Sequence, residues 1–227
     1  LRTPLAVIRA CMHARPPAYE QTIDQECARM GRLIEDLLTL SRLETISDQN
    51  GQLLERQDVD LDTLLLTAYE QMELLAVQKK IRLELNLPQE ALPHIQGDCH
   101  KLEQLLSILL QNALSYTPAG GKVILSAEVS RHMPNRVRGN MLFPGLSKTG
   151  GSFAIHICVM DNGPGISDAD KAHIFERFYR AQRSHTDRSH FGLGLCIAQE
   201  IAHAHGATLT VADTEGGGAT FHLMLER

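Results

Sequence analysis

Apolar positions near the start of the chain repeat with the period of a helix. From residue 23 onward, apolar or small residues recur at alternating steps of four and three, which is the spacing of a heptad seam. The seam positions are Ile23, Cys27, Met30, Ile34, Leu37 and Ser41. A shorter segment over residues 1–12 repeats in the same way, and Pro16 and Pro17 separate the two because proline cannot continue the helical hydrogen-bond ladder. The pattern predicts an antiparallel helical hairpin.

One hairpin buries only a single apolar seam. The stripes left exposed favour pairing with a second copy of the chain, which would complete a four-helix bundle in a homodimer. The alternative is that the hairpin packs against the rest of its own chain.

The remainder of the chain alternates between helical and strand periodicity. The spacing predicts helices over 61–75, 102–113, 168–179 and 192–205, and strands over 81–87, 123–129, 153–160, 208–212 and 219–225. This mixed order favours an α+β sandwich over a doubly wound parallel sheet. The polar stretch after residue 45 lacks periodicity and contains Asn50-Gly51, which is typical of a linker. We therefore predict a hairpin domain at 1–45, a linker at 46–57 and a second domain at 58–227.

Composition narrows the functional classes. The net charge of −5 over 227 residues disfavours a general nucleic-acid or polyanion binder. Five cysteines without a CxxC pair argue against a disulfide framework or zinc knuckle, and eleven scattered histidines favour ordinary core or surface positions over metal ligands. No apolar run reaches the roughly 18 residues of a membrane span. The start at Leu1, within a helical pattern, indicates a piece of a longer polypeptide.

Three glycine-rich segments carry the candidate chemistry. The predicted strand at 153–160 leads directly into Asp161, Gly163 and Gly165, a carboxylate followed by glycines that admit close approach of another molecule. A second segment at 191–195 opens a helix, where free N–H groups and the helix dipole favour phosphate. A third occupies 215–220. Each segment alone is compatible with an ordinary turn, but the three in order, after a helix that carries Asn112, are hard to explain as turns alone.

These motifs resemble those of the sensor histidine kinases of two-component systems, and the resemblance covers nearly the whole chain. The matching segments are residues 1–5 (phosphoacceptor box), Asp98 with 111–118 (asparagine box), 161–166 (first glycine box), 175–180 (phenylalanine box), 192–195 (second glycine box) and 216–221 (third glycine box). The resemblance implies a dimerising helical hairpin followed by an ATP-binding α/β sandwich of the Bergerat type.

The resemblance also implies roles for individual residues. Asp161 would accept a hydrogen bond from the adenine amino group, and Asn112 would help to coordinate the Mg²⁺ that bridges the phosphates. The other nucleotide-binding residues that it implies are Tyr116, Gly163, Gly165, Ile166, Gly192, Leu193, Gly194, Leu195 and Thr220. Residues 167–191 would form a lid over ATP.

Three further residues have candidate catalytic roles by the same resemblance. Arg177 or Arg180 would approach the γ-phosphate, the alternative being that both are solvated surface arginines. Thr3 lies where the family positions a water molecule for dephosphorylating its partner regulator. The alternative for Thr3 is a hydroxyl that bonds its own helix backbone near Pro4.

The sequence departs from the family pattern at several positions. The expected phosphoacceptor histidine lies two places before Leu1. Ile108 stands where an earlier asparagine is usual, Ser115 stands where a lysine is usual, and residues 189–191 are bulkier than the family's small residues. These departures predict weaker binding of the ATP phosphates.

The function implied by the resemblance is a protein-histidine kinase. It would transfer the ATP γ-phosphate to histidine and then to an aspartate of a response regulator docked on the hairpin, as the cytoplasmic portion of a membrane sensor. A gyrase- or chaperone-type ATPase is one alternative, although Ile108 cannot act as the glutamate base expected one turn before Asn112. A non-catalytic nucleotide-binding or regulator-docking module is the other, and Ile108 and Ser115 favour it.

Overall fold

A computed structural model describes residues 19–48, 54–130, 153–180 and 191–226. The helices are α1 (Tyr19–Asp48), α2 (Leu61–Lys79), α3 (Cys99–Tyr116), α4 (Asp168–Lys171) and α5 (Gly194–Ala204). The strands are β1 (Gln57–Val59), β2 (Arg82–Asn86), β3 (Ile95–Gly97), β4 (Lys122–Ser130), β5 (Ala154–Asp161), β6 (Thr208–Asp213) and β7 (Ala219–Glu226). Within those ranges, no helix combines the length and apolar character that crossing a membrane requires.

The main sheet has five strands in the order β2-β4-β5-β7-β6. Strand β2 pairs parallel to β4, and the other neighbours are antiparallel. This mixed sheet, with its helices, confirms the predicted α+β sandwich. A second, two-stranded sheet joins β1 to β3. The sequence did not predict these two strands, because three residues are too few to establish a period of two.

One face of the main sheet forms the core. Residues of β5 and β7 alternate between two environments, and Val159 lies opposite Phe221 in register on the buried face. Helix α3 packs on this face of β4 and β5, while α5 packs on β6. The leucines of α3 that fill the interface are fully buried: Leu102, Leu105, Leu106, Leu109, Leu110 and Leu114.

Side-chain caps determine where two of these helices begin. Asp60 accepts a hydrogen bond from the backbone N–H of Asp62 at 3.0 Å and starts α2, while Asp98 accepts from Lys101 N at 3.1 Å and starts α3. Asp98 belongs to the predicted asparagine box, and in the structure its carboxylate caps α3 while its backbone N–H donates to Nε2 of His205 at 3.0 Å. Helix α2 ends at Lys79, because the next residue, Lys80, has a left-handed φ of 57° that interrupts the helical repeat.

Helix α1 contacts α5 through a different face from the predicted seam. Leu33, Leu40 and Leu43 are buried in the core, whereas the seam residues Ile34 and Leu37 are 48% and 37% exposed. The predicted first helix of the hairpin lies outside the described residues. The alternative of packing on the same chain therefore holds for one face of α1, and the heptad seam stays available for a helical partner.

The prediction of a helix over 168–179 was wrong. Helix α4 ends at Lys171, after which the backbone continues in successive turns, such as the hydrogen bond from Glu176 N to His173 O. Phe178 adopts a left-handed φ of 63°, and its N–H donates to the carbonyl of Gly192. The tertiary contact with the second glycine segment overrides the helical periodicity at this position.

Two leucines of α2 test the assignment of its buried face. Leu65 is 0% exposed and Leu74 is 68% exposed. We expect Leu65→Ala to lower the free energy of unfolding by about 2–5 kcal/mol, because it removes packed methyl groups and leaves a cavity. The matched Leu74→Ala variant is expected to change it by less than about 0.5 kcal/mol. Urea unfolding followed by circular dichroism measures both, and equal effects would contradict the assignment.

Candidate nucleotide-binding site

The carboxylate of Asp161 is fixed at the end of β5 by two backbone donors. Asp161 is buried, and its Oδ1 accepts hydrogen bonds from Gly163 N at 2.9 Å and Ala219 N at 3.2 Å. Burial raises the pKa of Asp161 above its ordinary value, and these two hydrogen bonds oppose the rise. The structure therefore holds an acidic group in one orientation where the first and third glycine segments meet.

Glycine is required at these segments because backbones approach closely. A Cβ on Gly163 would lie 2.9 Å from the carbonyl oxygen of Tyr116, the last residue of α3. Gly165 has a φ of +73°, and a Cβ there would lie 3.2 Å from the carbonyl oxygen of Gly218. Gly218 has a φ of +107°, and its Cβ would collide with the carbonyl oxygen of Asp161. Because these glycines have no side chains, the backbones of the first and third glycine segments can lie in contact beside the carboxylate.

The second glycine segment lies at the N-terminus of α5. The N-cap residue Leu193 is buried and makes no side-chain capping bond, so the first N–H groups of α5 lack a side-chain acceptor there. A Cβ on Gly194 would lie 3.3 Å from Cγ2 of Ile108 on α3. Asn112 follows Ile108 by one turn on the same face of α3 and is half-buried. The structure therefore brings Asn112 towards the N-terminal end of α5.

Both candidate arginines lie beside this helix end. The guanidinium of Arg177 hydrogen-bonds the thiol of Cys196 in the first turn of α5. A Cβ on Gly192 would lie 3.2 Å from Cγ of Arg180. The side chains of both arginines therefore lie near the end of α5 at which the helix dipole is positive.

The other predicted site residues have different surroundings. Tyr116 is 44% exposed at the end of α3, and Ile166 and Leu195 pack against the core. The hydroxyl of Thr220 lies 2.8 Å from that of Thr214, and Thr220 is in register with Met160 rather than with Asp161. The structure therefore does not bring the Thr220 hydroxyl to the carboxylate. Thr3 lies outside the described residues.

Two local contacts were not predicted from the sequence. Asn162 Oδ1 accepts a hydrogen bond from Lys122 N at 2.7 Å, which ties the first glycine segment to β4. The guanidinium carbon of Arg29 lies 4.6 Å from the centroid of the Phe191 ring, so α1 reaches the residue that precedes Gly192. For the first contact, the only indication in the sequence was the position of Asn162 directly after Asp161. Nothing in the sequence pattern indicates the second.

Comparison with known proteins gives the family to which this fold belongs. Residues 97–227 match the family described as histidine kinase-, DNA gyrase B-, and HSP90-like ATPase, and the chain belongs to this family. Its relatives identify the sensor histidine kinase branch, as the sequence motifs predicted.

The similar proteins are sensor histidine kinases. The chain is 33% identical to the sensor histidine kinase TrcS of Mycobacterium tuberculosis over 99% of its own length and 41% of that protein. It is 30% identical to the sensor histidine kinase WalK of Bacillus subtilis, over 99% of its length and 34% of that protein. Among solved structures, full-length ShkA in complex with AMPPNP matches 92% of this chain and 38% of ShkA, with 26% identity and a TM-score of 0.68. The chain thus spans less than half of each of these proteins.

The raised pKa of Asp161 predicts a pH-dependent stability difference. Its contribution to stability is fully present below the unfolded-state pKa of about 4 and is lost as pH rises through the higher folded-state value. We expect Asp161→Asn, whose amide oxygen can still accept both backbone bonds, to become more stable relative to wild type across that interval. Urea unfolding at several pH values measures the difference. A difference that is constant with pH would contradict the raised pKa.

Proposed function

We propose that this site binds Mg-ATP and that the chain is the catalytic core of a protein-histidine kinase. The observation that carries the proposal is the buried Asp161 carboxylate, oriented by two backbone N–H groups and flanked by glycines whose missing side chains leave the main chain bare. The family match and the sensor histidine kinase relatives support it.

Asp161 supplies base recognition in this proposal. Both backbone donors address Oδ1, so Oδ2 is the oxygen that the adenine amino group would approach. Adenine presents a donor at this position, whereas guanine presents a carbonyl oxygen that a carboxylate repels. One oriented acid therefore selects ATP over GTP.

The N-terminus of α5 and its neighbours suit the triphosphate. Uncapped N–H groups, together with the guanidiniums of Arg177 and Arg180, attract the phosphate oxygens and the charge that develops during transfer. Asn112 offers a neutral amide oxygen, which fits Mg²⁺ because that ion is held by few protein ligands and keeps several waters. When bound, Mg²⁺ would neutralise charge on the phosphates.

The proposed reaction is a phosphoryl transfer in two steps. A histidine nitrogen attacks the γ-phosphorus, the bond to the bridging oxygen of ADP breaks, and ADP leaves. The phosphoryl group then passes to an aspartate carboxylate of a response regulator.

We propose that the exposed seam of α1 pairs two copies of the chain, and that Thr3 positions water when the regulator is dephosphorylated. We also propose that this portion lies at the cytoplasmic side of a membrane sensor, as the family resemblance implies.

Adenine recognition is tested by exchanging one atom of the acid. We expect Asp161→Asn to weaken ATP binding by roughly 10- to 150-fold, because a hydrogen bond to a charged group contributes about 1.5–3 kcal/mol and the new amide donor faces the adenine donor. Isothermal titration with Mg-AMPPNP measures this loss. The exposed Asp58→Asn, on β1, is the control and is expected to bind as wild type does. Unchanged affinity in Asp161→Asn would refute the proposed site.

Kinase activity is tested in a chain that includes the expected histidine before Leu1. Incubation with labelled Mg-ATP is expected to give acid-labile, base-stable phosphate. We expect Asn112→Ala to reduce the labelling rate at least 10-fold, with Gln111→Ala, its exposed neighbour on α3, as the control. Nucleotide binding without any labelling would contradict the kinase and support the docking module instead.

A further inference from the structure

A cluster of two imidazoles and a thiol lies on the face of the sheet opposite the helices. Side chains of β5 alternate, so His156 and Cys158 share one face while Ile157 and Val159 occupy the buried core. Cys158 is in register with His222 on β7. The two strands therefore bring together three metal-ligating side chains that the sequence separates by up to 66 positions.

The three ligand atoms already lie near the separations of a metal site. Nε2 of His156 is 2.9 Å from Nδ1 of His222, and Sγ of Cys158 is 3.4 Å from each of these nitrogens. A tetrahedral Zn²⁺ with bonds of about 2.0–2.1 Å to nitrogen and 2.3 Å to sulfur requires about 3.3 Å between nitrogens and about 3.6 Å between nitrogen and sulfur. Small side-chain rotations that move each atom apart by a few tenths of an ångström would meet this requirement.

The rings of His156 and His222 lie against each other on neighbouring strands. Their planes are stacked, with centroids 5.0 Å apart and an angle of 10° between them. The two rings are within hydrogen-bonding distance of each other, and the thiol also has Ser126 as a hydrogen-bond partner. A cation would engage both imidazole lone pairs and the sulfur together.

We propose that His156, Cys158 and His222 form a binding site for a borderline-soft divalent cation of the Zn²⁺ class. Two imidazoles and one thiolate are the ligand types that such cations prefer over the harder Mg²⁺ and Ca²⁺. On binding, the thiol proton passes to solvent and the sulfur becomes the third ligand. The cross-strand neighbours of His156 are Glu128 on β4 and Met224 on β7.

This site is separate from the nucleotide site, but both sites are built on strands β5 and β7. Asp161 comes three residues after Cys158 on β5 and faces the opposite side of the sheet. A cation that joins β5 to β7 would cross-link the two strands whose ends supply Asp161 and its donor Ala219. The metal proposal does not depend on kinase activity, since its ligands are independent of the residues assigned to ATP.

Metal titrations of the purified 227-residue chain test the site. We expect one Zn²⁺ per chain in competition with a chromogenic chelator, an upward shift in Tm on its addition, and a thiolate-to-metal charge-transfer band on addition of Co²⁺. Cys158→Ser is expected to abolish the Co²⁺ band, and His222→Ala to weaken Zn²⁺ binding at least 10-fold. The matched controls are Cys99→Ser and His203→Ala, a thiol and an exposed imidazole elsewhere in the fold, and both are expected to behave as wild type.

The design separates loss of metal from loss of structure. The metal-free Cys158→Ser and His222→Ala variants are expected to keep the wild-type circular dichroism spectrum and affinity for Mg-AMPPNP. Absence of stoichiometric Zn²⁺ binding by the wild-type chain would overturn the proposal. So would a charge-transfer band that survives Cys158→Ser or disappears in Cys99→Ser.

Discussion

The whole site depends on one bifurcated interaction, in which Oδ1 of Asp161 accepts the backbone N–H groups of Gly163 and Ala219. These donors belong to two segments that are 56 positions apart in sequence and meet only because β5 and β7 are neighbours in the sheet. In the proposed function, the same bonds leave Oδ2 for the adenine amino group. Burial makes the ionised acid costly, so this residue lowers the stability of the fold at neutral pH.

The sheet separates two kinds of chemistry by the alternation of its side chains. On β5, odd-numbered residues fill the core and end in the acid, while even-numbered residues build the histidine–cysteine cluster on the other face. Helices α3 and α5 cover the core face and contribute Asn112 and the uncapped helix N-terminus. The nucleotide site and the proposed metal site therefore share strands without sharing ligands.

Periodicity in the sequence predicted the five strands of the main sheet and the helices α2, α3 and α5, because each element is long enough to show its period. It did not predict β1 and β3, and it extended α4 past Lys171 because Phe178 makes a tertiary bond that no local pattern encodes. Asp161 and the glycines could be singled out because they form short local motifs, and their roles in nucleotide binding stay a prediction. The backbone donor Ala219, the orientation of Thr220 and the pairing of His156 with His222 depend on strand register, which the sequence pattern does not specify.

Gly218 limits which amino-acid substitutions this protein can tolerate. It carries no functional group, yet its backbone lies so close to the Asp161 carbonyl, in a conformation with positive φ, that any side chain would collide. In a saturation mutagenesis screen, this position would tolerate substitution as poorly as the acid itself, for a purely steric reason. Because Gly218 is itself buried, such a substitution would act by displacing the end of β5 rather than by contacting a ligand.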